Sequence, residues 1–207
     1  DHPAAGLTLD FDIGASLGSS SEHGQRGLST AATIEADPIQ ILALNHLGPA
    51  VSERFGMLLV ALTRPTGPGG RVRLRSDDPH TPPIVEVRHL SDPVDLARLG
   101  VGVRSALDVL HHASFASAVR NVLIDDRGTT ADRLDDDGYL DRWLRTNAAD
   151  YVHASCSTSL SIGDAGAVLG HDGLYVCDAS AFPSIPNANT HVPTMMLAER
   201  FSAAWLG

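Results

Sequence analysis

Residues 57–112 read MLLVALTRPTGPGGRVRLRSDDPHTPPIVEVRHLSDPVDLARLGVGVRSALDVLHH, and this stretch decides the fold class. It opens with an apolar run, 57–63, that suits a strand, and breaks at RPTGPGG, rich in turn formers. Residues 71–76 (RVRLRS) alternate with period two, so Val72 and Leu74 are expected to face a core. Arg71, Arg73 and Arg75 then face water or a partner. Residues 84–88 (IVEVR) alternate again. At position 92 the period changes. Asp92 is placed to cap a helix, Pro93 suits its first position, and Asp95 stands where a capping-box acid belongs. Leu96, Leu99, Val103, Leu107 and Leu110 recur at three- and four-residue spacing, which predicts a helix to about residue 112.

The flanking sequence extends this pattern. Residues 6–13 (GLTLDFDI) alternate like a strand, and 14–30 are small and polar, as in a loop. A shorter helix is expected around 137–146, burying Tyr139, Leu140, Trp143 and Leu144. A last one is expected from near Pro193 through Met196, Leu197, Phe201 and Trp205. Paired strands followed by long helices define an α+β class: an antiparallel sheet with helices packed on it. No GxGxxG follows a strand and no P-loop occurs, so the chain has no motif of its own to cradle a dinucleotide pyrophosphate.

Composition bounds the function. The 207 residues are 43% apolar, enough for a packed core, and carry a formal net charge of −10. That balance argues against a nucleic-acid surface or an anionic membrane. No stretch of 18 apolar residues occurs, so no membrane span is expected, and the start, DHPAAGLTLDFD, has neither a basic segment nor an apolar signal-peptide region. It reads like the middle of a longer polypeptide. Cys156 and Cys177 are too few for a disulfide framework; they read as reduced thiols, in keeping with a cytoplasmic protein.

From 151 onward the sequence changes character. YVHASCSTS places His153 among small hydroxyl residues. GLYVCDASAFPSIP joins a short apolar strand (Leu174, Tyr175, Val176) to Asp178, and the small Ala179 and Ser180 after it let a ligand approach the backbone. NANTHVPTMMLAER places Asn187, Asn189 and His191 directly before a helix, whose N-terminus favours a negative group.

These runs, in this order, resemble the C-terminal signature of the glucose-methanol-choline (GMC) flavoprotein oxidoreductases, with its H-x-x-G-T, L-x-V-x-D-A-S-x-x-P, N-T-N-A-P-T and A-E-K/R motifs. Upstream, RPTGPGGRVRLRSDDPHTPP and the helix after it are similar to the family's P-x-S-x-G-x-V-x-L-x-S-x-D-P stretch, and Asp1-His2-Pro3 matches its D-H-P. Residues 14–56 show little that matches. The resemblance implies a substrate-binding domain over residues 1–150. It implies a C-terminal segment, 151–207, that completes an FAD-binding domain whose N-terminal half lies outside this chain, as a separate or cleaved polypeptide or an omitted portion. It further implies an FAD-dependent alcohol oxidoreductase, with hydride passing from a CH–OH carbon to flavin N5. His153 matches the catalytic base and Asn189 the second catalytic position. His191 falls beside the flavin pyrimidine edge with Val192, and is the alternative second catalytic residue. Asp178 and Ala179 match the residues whose backbone meets the ribityl-phosphate portion. An imidazole can take a proton near neutral pH, and an amide can orient a substrate oxygen.

Cys156 departs from the family's Gly and Ser157 from its Thr, the 159–173 stretch is shorter than in choline-type members, and the GLYV ending is closer to cholesterol-oxidase-like branches. Steroid, sugar and simple alcohols, and oxygen or another electron acceptor, all stay open. A non-catalytic substrate-domain homologue serving as a binding module, and a lyase that uses flavin structurally, are the rival functions. No metal site is expected. His111 and His112 read as a helix end facing its own carbonyls, and Asp135–Asp137 as a solvated helix start without calcium-loop spacing. His23, His46, His80, His89 and His171 read as structural.

Overall fold

The computed structural model describes residues 3–11, 31–34, 39–44, 55–67, 69–115, 118–150, 152–187 and 189–207. The expected loop at 14–30, and Asp1, His2, His23 and His46, lie outside them. The α+β expectation holds. Strands β1 (Pro3–Phe11), β2 (Ala31–Ile34), β3 (Ile39–Leu44), β4 (Phe55–Leu62), β7 (Val119–Leu123) and β8 (Ala149–Asp150) form one antiparallel sheet. Its order is β2-β3-β4-β1-β7, with β8 pairing the start of β1. β5 (Arg71–Arg73) and β6 (Ile84–Glu86) make a separate two-stranded ribbon, Val72 opposite Val85.

Helix α1 (Pro93–His111) begins as the sequence predicts, with the Asp92 carboxylate accepting from Val94 N at 2.8 Å and Pro93 behind it. Its buried stripe, Leu96, Leu99, Val103, Leu107 and Leu110, lies against the sheet. At Gly102 a Cβ would stand 2.9 Å from Ile39 Cγ2 and from Val60 Cγ1. The backbone of α1 therefore rides directly on β3 and β4, and this close approach offsets the roughly 1 kcal/mol that a mid-helix glycine costs. Two residues earlier, on the other side of α1, Gly100 faces Leu140 and Leu144 of α2 (Asp137–Asn147). In α2 Leu140, Trp143 and Leu144 are buried as expected and Tyr139 is half-buried; Asp136 caps the helix through Tyr139 N at 2.7 Å, and Trp143 Nε1 donates to Ile124 O.

Several expectations fail for identifiable reasons. Val72 and Leu74 face no core: they are 63% and 84% exposed, because nothing among the described residues lies over that face of the ribbon. Asp95 closes no capping box. It is buried, and its carboxylate accepts from Thr66 N, Thr66 Oγ1 and Gly67 N at 2.8–3.0 Å, with Arg98 beside it. The His112 ring does not reach the helix carbonyls; its Nδ1 accepts from Ser114 N at 3.3 Å. Leu174–Val176 forms no strand, only a bridge from Tyr175 to Ala167, within a run where Gly166, Gly170 and Gly173 all have positive φ. The last helix, α3 (His191–Leu206), starts two residues before Pro193, so His191 lies inside its first turn.

Candidate active site

His153 and Asn189 are 36 positions apart in sequence, and the fold brings them into contact. His153 Nε2 lies 3.3 Å from Asn189 Oδ1, and Nδ1 lies 3.1 Å from the carbonyl of Val152. A carbonyl only accepts, so the proton of a neutral ring sits on Nδ1 and Nε2 carries the lone pair. An amide end can be turned by half a rotation to offer either NH₂ or oxygen. Asn189 can thus donate to Nε2 of the neutral ring and, turned over, accept from Nε2–H of the imidazolium. The pair accommodates both charge states that a proton-transfer group passes through.

The backbone under His153 is strained. Val152 has φ 45°, and Cys156 φ 66°. A left-handed conformation costs a residue with a side chain on the order of 1–3 kcal/mol, and most for a β-branched one. Cys156 occupies the position where the motif carries glycine, and its φ lies in the left-handed region that favours glycine. What holds the segment is a set of backbone bonds to the turn after Asp178. Cys156 N donates to Ala179 O and Thr158 N to Ser180 O, both at 3.0 Å, and the Thr158 and Ser180 hydroxyls lie 2.9 Å apart. Asp178 caps that turn through Ser180 N at 2.8 Å. Burial pushes the Cys156 thiol up from its ordinary pKa. Neither cysteine is in a disulfide.

His191 and Val192 follow Asn189 closely and open α3 with exposed side chains. Thr190, at the N-cap, has helical geometry, and its side chain caps no amide. The sequence reading names His153, Asn189, His191, Val192, Asp178 and Ala179 as candidates. It gives no place to Thr63, whose Oγ1 donates to Asn187 Oδ1 at 3.4 Å across 124 positions. Only the folded register of β4 puts these two together, and no spacing rule could have signalled it.

Residues 65–198 match the sequence model of the GMC oxidoreductase family. The 5-(hydroxymethyl)furfural oxidase of Methylovorus sp. (strain MP688) is 32% identical over 98% of this chain and 40% of its own length. The oxygen-dependent choline dehydrogenase of Burkholderia thailandensis is 29% identical over 78% of this chain and 29% of its length. Among solved structures, formate oxidase from Aspergillus oryzae RIB40 superposes with a TM-score of 0.80 at 17% identity, over 98% of this chain and 45% of that one. The chain belongs to the GMC oxidoreductase family and corresponds to its C-terminal part. It spans less than half the length of these relatives. Among the described residues no helix is long and apolar enough to cross a membrane.

Proposed function

We propose that this chain supplies the substrate-facing and catalytic part of an FAD-dependent alcohol oxidoreductase, with His153 as the base. The observation that carries the proposal is the 3.3 Å approach of His153 Nε2 to the Asn189 amide. When bound, the flavin would accept hydride at N5 from the carbinol carbon. The chain's own residues do the rest. A substrate hydroxyl takes the place of the Asn189 amide on the single Nε2 lone pair, and His153 accepts its proton there while Nδ1–H stays on the Val152 carbonyl; Asn189, turned from the ring, holds the substrate oxygen. His191 is the alternative for that second role.

The residues fit such a cofactor. The first turn of α3, uncapped by Thr190 and exposed at His191 and Val192, directs amide N–H groups and a positive dipole end outward, as suits the flavin pyrimidine edge when it becomes negative. Asp178 and Ala179 would meet the ribityl-phosphate portion. Residues 1–150 act as the substrate-binding domain and 151–207 as the late segment of the FAD-binding domain. Separate buried clusters support that division, one drawn from residues up to Leu144 and one from Ala181, Phe182, Leu197 and Phe201. The N-terminal flavin-binding half, joined or as a separate polypeptide, is the partner. Val192, Met195 and Met196, each 57–70% exposed, offer it an apolar face. The substrate is a small CH–OH compound, in line with the hydroxymethyl compound for which the relative matched over 98% of the chain is named. Two unpaired cysteines suit a reducing, cytoplasmic setting.

The test uses the protein that contains both halves. His153→Ala is expected to keep FAD bound and to slow anaerobic flavin reduction by an alcohol about 10²–10⁴-fold. Reduction at the unmodified rate would remove His153 from the mechanism.

A further inference from the structure

We infer that Thr63 is a positioning residue for the His153–Asn189 pair, tying the loop that carries Asn189 to the end of the central strand β4. This rests on the proposed role of that pair. Thr63 follows β4 directly and is only 3% exposed, so its hydroxyl must be satisfied inside the fold. Its Oγ1 donates to Asn187 Oδ1 at 3.4 Å, and Asn187 stands two residues before Asn189.

The two sides of this link differ in rigidity. Thr63 is held from behind by β4. From ahead it is held by the 64–67 turn, which α1 clamps: Asp95 accepts three hydrogen-bond donors from Thr66 and Gly67, and Arg98 Nη1 donates to Arg64 O at 3.0 Å. At Gly67 a Cβ would lie 2.8 Å from Asp92 Cβ, so the turn fits closely against the start of α1. Asn187 is exposed, on a loop that enters α3. His153, meanwhile, is anchored elsewhere, through the bonds of Cys156 and Thr158 to Ala179 and Ser180. The His153 anchor and α3 share the small buried cluster, where Cys156 and Ala179 pack with Leu197 and Phe201, and the Thr63 link adds a second tie, from β4, on the Asn189 side of the pair alone. A misplacement of about 1 Å at a reacting centre can cost on the order of 10²-fold in rate.

The experiment measures anaerobic flavin reduction and flavin content in the full protein carrying both halves. Thr63→Val keeps the shape and removes the hydroxyl; it is expected to slow reduction by roughly 10- to 100-fold at unchanged flavin content. Thr63→Ser returns most of the rate. In an Asn189→Ala background Thr63→Val has no further effect, because both act through the same amide. Additive losses in the double variant, a Ser variant as slow as the Val variant, or no slowing at all would each overturn the inference. Should Thr63→Val fold poorly, Asn187→Ala changes only an exposed side chain and is read by the same cycle. Wild-type rates in both His153→Ala and Asn189→Ala would instead sink the underlying site, which separates the two failures.

Discussion

The sheet-and-helix region and the C-terminal segment are built on opposite plans. In the first, nineteen buried apolar side chains among the described residues, from the sheet, α1, α2 and their connections, form one cluster, with Leu7, Leu99, Leu134 and Leu144 fully enclosed. In the second, the buried cluster has four members, and α3 buries only Leu197 and Phe201 while Val192, Met195, Met196 and Leu206 stay open. Burying a large aliphatic side chain contributes about 1.5–3 kcal/mol, so the first region draws far more stability from its own core than the second does from its small cluster. The segment with the candidate chemistry is held by backbone bonds and strained turns more than by a core.

The contrast is broken most sharply by truncating each region once in the intact protein. Leu99→Ala removes a fully buried side chain where α1 packs into the main cluster, and is expected to cost about 2–5 kcal/mol of unfolding free energy. Met196→Ser changes a residue 65% exposed in this chain. Against solvent such a change is worth within about 0.5 kcal/mol. Covered by the flavin-binding half it should cost more, with earlier loss of flavin on heating. Thermal unfolding followed by flavin fluorescence reads both, and a neutral Met196→Ser would mean that α3 faces water.

The same division explains what could be read from the chain alone. Asp92, Pro93 and the leucine stripe of α1 are local signals, fixed within one or two helical turns, and they place the helix start at Pro93 and its end within a residue or so of His111. Val72 and Leu74 carry an equally clear alternation, yet alternation names two faces without saying whether either is covered, and here the apolar one is open. Asp95 looked like a capping acid because its spacing from Asp92 fits. Its true partners, Thr66 and Gly67, lie 29 and 28 positions away and depend on how the ribbon's approach folds against α1. In the C-terminal segment family motifs, not geometry, single out His153 and Asn189 as candidates, and the structure places them 3.3 Å apart. Leu174–Val176 failed as a strand because glycines with positive φ at 166, 170 and 173 turn the chain too often for a ladder to form.

A medium effect should come from relieving strain in the weakly packed segment. Cys156 has φ 66°, a conformation that costs a non-glycine residue about 1–3 kcal/mol. Cys156→Gly removes that cost and gives up a half-buried thiol packed against the small cluster, so the net expectation is a gain of up to about 1 kcal/mol. The backbone bonds from Cys156 N to Ala179 O and to Cys156 O from Ser159 do not involve the side chain and should persist. A higher denaturant midpoint with unchanged flavin reduction would be the outcome. A loss of stability would show that the thiol's packing outweighs the turn's strain, and that this segment has more of a core than its four buried residues indicate.

The smallest effect belongs to the well-packed region and is a matter of pH. His89, between β6 and α1, is half-buried with its Nε2 enclosed and without a hydrogen-bond partner. Burial lowers its pKa below the ordinary 6.5, with the Asp150 carboxylate pulling the other way. The folded protein therefore resists protonating this ring, whereas the unfolded chain takes up a proton as the pH falls through about 6.5. Between that value and the lower folded one, the unfolded state binds more protons, so stability rises with pH and is lost on acidification. The slope from one such group cannot exceed about 1.4 kcal/mol per pH unit. His89→Leu removes the titration and should flatten the stability profile between pH 7 and 5, measured by denaturant unfolding across that range. If the acid limb is as steep in the variant, the acid sensitivity lies outside this ring and the enclosed imidazole is a passive part of the core.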